Sequence, residues 1–356
     1  MRLPSRAKAA SVASAPATFV ALAAFAALLV FTAPSAQAQK PEKSNVIVAV
    51  AGVSSQIYFV VTNLATRLGY FKDEGLDIEM VDSGSGAKGL QALLGGSADV
   101  TAGAYEHTIQ MQAKGIDIRC FAQFGRSGGT VLGIIKNKAK AGVSAKDLKG
   151  ETIGVSAPGS STHTFLNVVL GENGLKADDV SILAVGNAAG AVAAARSGRL
   201  GGISGVDPVM TELELAGDIV VLADARTAEG SRAVYEGPYA SGCLYATADF
   251  IAKNPNVIQA LSNAVTRTLR WVKRAKTEQI IAALPPEYSR DNPALYRAAV
   301  ERNLGGIPEQ AVVEEEATKT VLRMAARADP KLDAAKIDLT KTYDNRFSRA
   351  AAQKYK

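Results

Sequence analysis

The chain has 356 residues, 47% of them hydrophobic and 21% charged, with 40 Lys and Arg against 34 Asp and Glu and a formal net charge of +6. Positions 1–38 contain Arg2, Arg6 and Lys8 and no acid, which leaves 37 basic against 34 acidic residues in the remainder. So balanced a surface gives no footing for nucleic acid, and two histidines with two separated cysteines cannot assemble a typical zinc site.

From the N-terminus, Arg2, Arg6 and Lys8 precede an apolar stretch over 19–31 and then Ala36-Gln37-Ala38. This pattern predicts a secretory signal peptide, 1–38, with the mature chain starting at Gln39. The apolar stretch falls short of the roughly 20 residues of a membrane span, and no cysteine stands at the cleavage site to carry a lipid. The rest exceeds one typical domain of about 150 residues, so two lobes are expected.

Shifted by 102 residues, positions 52–106 match 154–208 at 13 of 55 ungapped positions, among them Gly52/Gly154, Gly69/Gly171, Gly84/Gly186, Gly96/Gly198 and Gly103/Gly205. Each copy reads alike. The segments 45–55 and 151–160 are apolar strands entering small-residue loops. Helices follow over 62–71 and 161–174, with Leu64/Leu68 and Leu166/Val169/Leu170 at helical spacing. Second strands (76–86, 180–190), second helices (90–96, 191–198) and third strands (98–103, 201–205) complete βαβαβ twice. Chain crossings are expected at 130–142 and 236–246, giving a first lobe of 43–136 plus 240–356 with the C-terminal helices, and a second lobe of 137–239. Cys120 and Cys243 lie in apolar, strand-like runs. They read as buried thiols, and export leaves a disulfide open.

In α/β lobes of this kind ligands bind outside the carboxyl ends of the strands. The candidate site is therefore the loops 52–56, 83–87 and 104–107 facing 156–163, 186–190 and 205–208. Ser160, Ser161, Thr162 and His163 sit where a glycine loop enters a helix, the place for an anion seat. Serines and threonines also cap helices without any ligand, and both readings stay open. Ser54, Ser55, Ser85, Gly86 and Asn187 are further loop candidates, with turn chemistry as the alternative. Tyr105 is placed to wall a pocket. Glu106 and Asp207 are acids near the cleft, to pair with Arg126, bond a ligand or face solvent. Arg126 is the arginine placed nearest the mouth, its fork suited to a carboxylate or sulfonate. Gly84–Gly89 satisfies G-x-G-x-x-G but lacks the acid about 20 residues on. No G-x-S-x-G elbow and no phosphate loop occur. Arg267, Arg270, Lys273 and Arg274 read as a solvated helix face.

Gly154-Val-Ser-Ala-Pro-Gly-Ser-Ser-Thr-His163, Gly69-Tyr-Phe-Lys-Asp-Glu-Gly-Leu76 and Ser83-Gly-Ser-Gly86 together resemble the substrate-binding components of ABC importers of the taurine, alkanesulfonate and nitrate type, the NMT1/THI5-like family. The resemblance implies a type II periplasmic-binding fold with a two-strand hinge. It also implies closure around a small solute, a monomer in the periplasm, delivery to an inner-membrane permease, and neither cofactor nor catalysis. Family members bind sulfonates, nitrate, pyrimidine precursors, flavins or aromatic acids. A small organic anion, a sulfonate or carboxylate, is the solute class expected here. The alternative is a pyrimidine or thiamine-precursor enzyme or binder on the same scaffold. The sequence departs from the pattern at Gly205-Val206-Asp207-Pro208, where many anion-binding relatives carry an aromatic residue.

Overall fold

The computed structural model describes residues 40–52, 56–140, 142–286 and 292–356. The predicted signal peptide, and Ser54 and Ser55, lie outside the described residues. The first lobe opens with β1 (Asn45–Val50), α1 (Val60–Arg67), α2 (Tyr70–Asp73), β2 (Asp77–Asp82), α3 (Gly86–Leu94), β3 (Val100–Ala104), α4 (Glu106–Gln112) and β4 (Ile118–Gln123). The second runs through β5 (Thr130–Ile135), β6 (Thr152–Val155), α5 (Ser161–Glu172), β7 (Ser181–Ala184), α6 (Ala189–Arg196), β8 (Gly202–Val206), α7 (Val209–Leu215), β9 (Ile219–Asp224) and α8 (Ala228–Tyr235). The chain returns with β10 (Gly242–Thr247) and ends in α9 (Ala248–Lys253), α10 (Pro255–Arg274), α11 (Thr277–Ala283), α12 (Pro293–Leu304), α13 (Glu315–Ala328) and α14 (Asn345–Lys354).

The two sheets have orders β2-β1-β3-β10-β4 and β7-β6-β8-β5-β9. Position by position these are the same sheet, with β10 and β5 each inserted antiparallel. The repeat in the sequence is thus a repeat of architecture. Its register needs one correction. Val48 lies beside Val100 in the first sheet and Ile153 beside Gly202 in the second. The third strands are therefore 102 residues apart but the first strands 105. The match of Gly52 to Gly154 is not a structural equivalence: Gly52 follows β1 at φ +74°, while Gly154 lies within β6.

The lobe boundary also moves. Strand β5 pairs with β8 and β9 in the second sheet, so the first crossing runs through 124–129 and not after 136. There Gly129 has φ +63°, and a Cβ on it would collide with the Tyr58 ring, so both backbone and packing demand glycine. The C-terminal helices are not confined to the first lobe. Helix α12 packs on α7, and α13 on both α5 and α4. Helix α10 buries Val257, Ile258, Leu261, Val265, Leu269 and Val272 at helical spacing against the first lobe. A second apolar cluster joins Tyr105, Cys120 and Tyr245 of the first lobe to Phe165 and Leu166 of the second through Val321 and Met324 of α13. Cys120 and Cys243 are both buried, free thiols, and burial pushes the Cys243 thiol far up. No helix among the described residues is long and apolar enough to cross a membrane.

Candidate functional site

The rims of the two sheets face each other. The Asn187 amide donates from Nδ2 to the Gly84 carbonyl at 3.3 Å, and the Ile57 N–H to the Asp207 carbonyl at 3.2 Å. Both bonds run from one lobe to the other. Between the rims lies a cavity of about 20 Å³, lined from the first lobe by Ala51, Gln56, Tyr58, Phe59, Gly86 and Ala104. The second lobe adds Ser156, Ser161, Thr162, Asn187 and Val206. That volume holds about one water, so a solute of several heavy atoms fits only with the lobes further apart.

The second lobe's rim is a closed hydroxyl network. Oγ of Ser156, Oγ of Ser160 and Oγ1 of Thr162 lie 2.7 to 2.9 Å from one another. The Ser160 hydroxyl donates to the Ala157 carbonyl at 2.7 Å, and the Ser156 N–H donates to Thr162 Oγ1 at 2.9 Å. These hydroxyls hold the loop. Beside them, Ser161 and Thr162 in the first turn of the 12-residue helix α5 line the cavity, and their N–H groups find no acceptor among the described residues. Orphan N–H groups at the positive end of a helix make an anion seat. Of the predicted quartet, Ser161 and Thr162 line the cavity, whereas Ser160 braces the loop. His163 turns back on that loop, its Nδ1 accepting from the Gly159 N–H at 3.1 Å, and burial holds its pKa below the usual value.

The first lobe's rim is shaped by Asp82, whose Oδ1 accepts from the Gly52 and Gly84 N–H groups at 2.9 and 2.8 Å. Ser85 caps α3, accepting from the Lys88 N–H at 3.3 Å, the local role that the turn-chemistry alternative gives it. Gly86 lines the cavity. Tyr58 and Phe59 supply an aromatic wall, edge to face with centroids 4.9 Å apart. The aromatic lacking at 205–208 is thus provided from the opposite lobe, and Val206 takes the place beside it.

Four sequence expectations are corrected by position. Tyr105 is fully buried with its hydroxyl on Thr342 Oγ1, away from the cleft. Glu106 is buried behind the rim, where Oε2 accepts from the Tyr239 hydroxyl at 2.9 Å and burial raises its pKa. Asp207 accepts from the Thr211 N–H at 2.8 Å and from Asn303 Nδ2 at 2.7 Å, and its charge partner is Arg226 at 3.5 Å, not Arg126. Arg126 is exposed, donates to the Gly305 carbonyl at 3.2 Å and does not line the cavity between the rims. Sequence reasoning passed over Gln56, Tyr58 and Ser156, which line the cavity. Gln56 Nε2 is buried with no partner among the described residues. The predicted loop 52–56 contained Gln56, but nothing in the sequence distinguished it from its neighbours. Among the described residues no cluster of His, Cys, Asp or Glu is arranged to hold a metal.

Two equivalent α/β units whose strand-end loops close on a small cavity define a two-lobed solute-binding protein of the periplasmic-binding fold. Residues 56–278 match the NMT1/THI5-like family, and the chain belongs to that family. A protein of known structure from Bordetella bronchiseptica RB50 is 43% identical, with a TM-score of 0.85 over 89% of this chain and 99% of that one. The periplasmic nitrate-binding protein NrtA of Synechocystis PCC 6803 shares the fold at 16% identity, with a TM-score of 0.69 over 89% and 90% of the two chains. So does the alkanesulfonate-binding protein SsuA of Xanthomonas axonopodis pv. citri, solved with MOPS bound, at 19% identity and a TM-score of 0.66 over 85% and 99%.

Proposed function

We propose that this protein is the periplasmic solute-binding component of an ABC importer, which captures a small organic anion between its lobes, delivers it to a membrane permease and has no catalytic role of its own. One observation carries the reading: Ser161 and Thr162, whose N–H groups at the start of α5 have no partner among the described residues, line the inter-lobe cavity. They favour negative charge without a cationic side chain, and no Lys or Arg lines that cavity. The nitrate and sulfonate binders that share the fold support the same class of ligand. A closed state is selected only by a solute that binds it better than the open one.

Ser161→Pro tests the seat directly. Ser161 is the first residue of α5, where proline is tolerated, and Ser160 before it is already extended at φ −87°, ψ 168°. The variant loses one free N–H and the neighbouring hydroxyl but keeps the helix. The expected outcome is a melting temperature within about 1 °C of wild type (~0.5 kcal/mol) and at least a tenfold loss of affinity, about 1.4 kcal/mol. Calorimetry over alkanesulfonates, aliphatic and aromatic carboxylates and nitrate reads it. If no anion binds wild type better than millimolar, the reading fails.

A further inference from the structure

The other histidine stands directly behind the cavity-lining Gly86. His107, in the first turn of α4, is fully buried. A Cβ placed on the cavity-lining Gly86 would lie 3.2 Å from its Cε1 and 4.0 Å from its Nε2. The backbone of Gly159, in the second lobe's rim, lies close enough to act on the ring, but Nε2 is buried with no hydrogen bond of good geometry among the described residues. The ring therefore sits between the lobes, and glycine at 86 is what lets it reach there.

Which group Nε2 presents follows from Nδ1. Nδ1 lies 2.9 Å from the Tyr245 hydroxyl. Tyr245 is itself fully buried, on β10. Its one proton has one well-placed acceptor among the described residues, Nδ1. The nearby Thr101 hydroxyl donates to the Gly89 carbonyl at 3.1 Å; its oxygen could still accept, but it stands near Tyr245 without a hydrogen bond of good geometry. If Nδ1 were the donor, the Tyr245 proton would be left without a good bond in the core, at a cost of about 1–3 kcal/mol. So Tyr245 donates, Nδ1 accepts, and the ring proton is on Nε2, on the side of the ring towards Gly86.

We propose that His107 is a solute-binding residue of the first lobe, locked by Tyr245 as the Nε2–H tautomer and donating a hydrogen bond to the captured anion across from the start of α5. The inference rests on the anion-binding reading above and deepens it. Donors then converge from both lobes, and a bridging anion holds them together. Burial lowers the His107 pKa to about 4, so the donor is uncharged near neutral pH. With no full positive charge in the cavity lining, the arrangement suits a monoanion, such as a monosulfonate or monocarboxylate, over a dianion.

The chain has two histidines, so nitrogen-15 NMR of the imidazoles can be assigned with one variant, His163→Gln. The expected result is His107 protonated on Nε2 and bare on Nδ1 at pH 7, with the Nε2 signal moving on titration with propanesulfonate or propanoate. Affinity for whichever of these binds should fall at least tenfold in His107→Phe. It should recover most of the loss in His107→Gln, whose amide can donate. A proton found on Nδ1 overturns the proposal. So does unchanged affinity in His107→Phe while wild type binds, and in that case the anion-binding reading stands. Should wild type bind neither these nor any other anion, that reading fails and the proposal fails with it.

Discussion

The rim of the first lobe and the rim of the second stand on equivalent strands, β1, β2 and β3 against β6, β7 and β8, yet they present different groups. The second lobe joins β6 to α5 through five residues, 156–160, whose Ser156 and Ser160 hydroxyls bond each other and Thr162, and the Ser161 and Thr162 N–H groups that follow have no partner among the described residues. The first lobe joins β1 to α1 through nine, 51–59, and uses side chains instead: Gln56, Tyr58 and Phe59, with His107 behind Gly86. A short loop has few side chains to spare once its own backbone is satisfied. A longer one can send an amide and two rings across to its neighbour. Duplication has kept the sheet order, where backbone pairing leaves little freedom, and the loops have diverged.

The same contrast extends to the third strands, and here the largest effect is expected. After β3 the chain places Tyr105 and Glu106, both turned into the protein. After β8 it places Asp207, tied to α7, to α12 and to Arg226. The guanidinium of Arg226 is almost fully buried and also bonds Thr211 Oγ1 at 3.0 Å, Glu214 at 2.9 Å and Asp224 at 2.5 Å. Arg226→Leu leaves the buried Asp207 carboxylate with hydrogen bonds but no charge partner. The expected cost is about 3–5 kcal/mol, the range for breaking a buried ion pair from one side, measured by urea denaturation. A loss under about 1 kcal/mol would mean that the Arg226 cluster is dispensable and that the acids at the two strand ends are alike after all.

That cluster also marks where the sequence stops being legible. The two βαβαβ copies could be read from glycine spacing and apolar periodicity, because element ends and buried faces impose those residues whatever the tertiary contacts. The strand-end loops were correctly expected to form the rims, for the same topological reason. Which side chain points inward could not be read. Tyr105 and Gly86 both follow strand ends, but one faces Thr342, more than two hundred residues on, and the other faces the cavity. Asp207 pairs with Arg226 and not Arg126 because β9 returns beside β5, a pairing between strands far apart in sequence. The two histidines exchange roles for a local reason and a distant one. His163, in the first turn of α5, accepts from the loop N–H four residues before it, while His107 owes its position to Tyr245 on β10.

A pH experiment sharpens the difference between them at smaller amplitude. His107 has its pKa lowered from 6.5 to about 4 by burial. Between those values the unfolded chain binds a proton that the folded chain does not, so stability falls as pH falls from about 6.5 towards 4. The whole window is worth at most roughly 3 kcal/mol. Glu106 works in the opposite sense: its raised pKa means the folded form holds its proton above the usual 4.5, so its contribution is lost as pH rises through that raised value. Thermal melts in steps from pH 4 to 7 should show a shallower acid loss in His107→Gln than in wild type. His163→Gln, with its ring only partly buried, should change the slope less. Equal slopes in all three proteins would remove His107 from the buried, neutral state assigned to it.

The smallest expected effect concerns the bond that joins the two rims. Asn187 Nδ2 donates to Gly84 at 3.3 Å, which fixes the amide so that Oδ1 faces inward, buried and unpaired. Neither atom contributes to the core of either lobe, so Asn187→Ala should leave the melting temperature unchanged within about 1 °C (~0.5 kcal/mol). The closed arrangement loses one hydrogen bond worth about 0.5–1 kcal/mol, which corresponds to a two- to fivefold shift towards the open form. Distance distributions between labels on the two lobes, taken without solute, read that shift apart from any contact Asn187 makes with a ligand. If the distribution does not move, Asn187 belongs with the solute-facing groups and not with the latch, and the second lobe's rim has side-chain chemistry of its own after all. If it moves while anion affinity falls by the same factor and no more, the residue acts on closure alone, and the division holds: backbone donors from one lobe, side chains from the other.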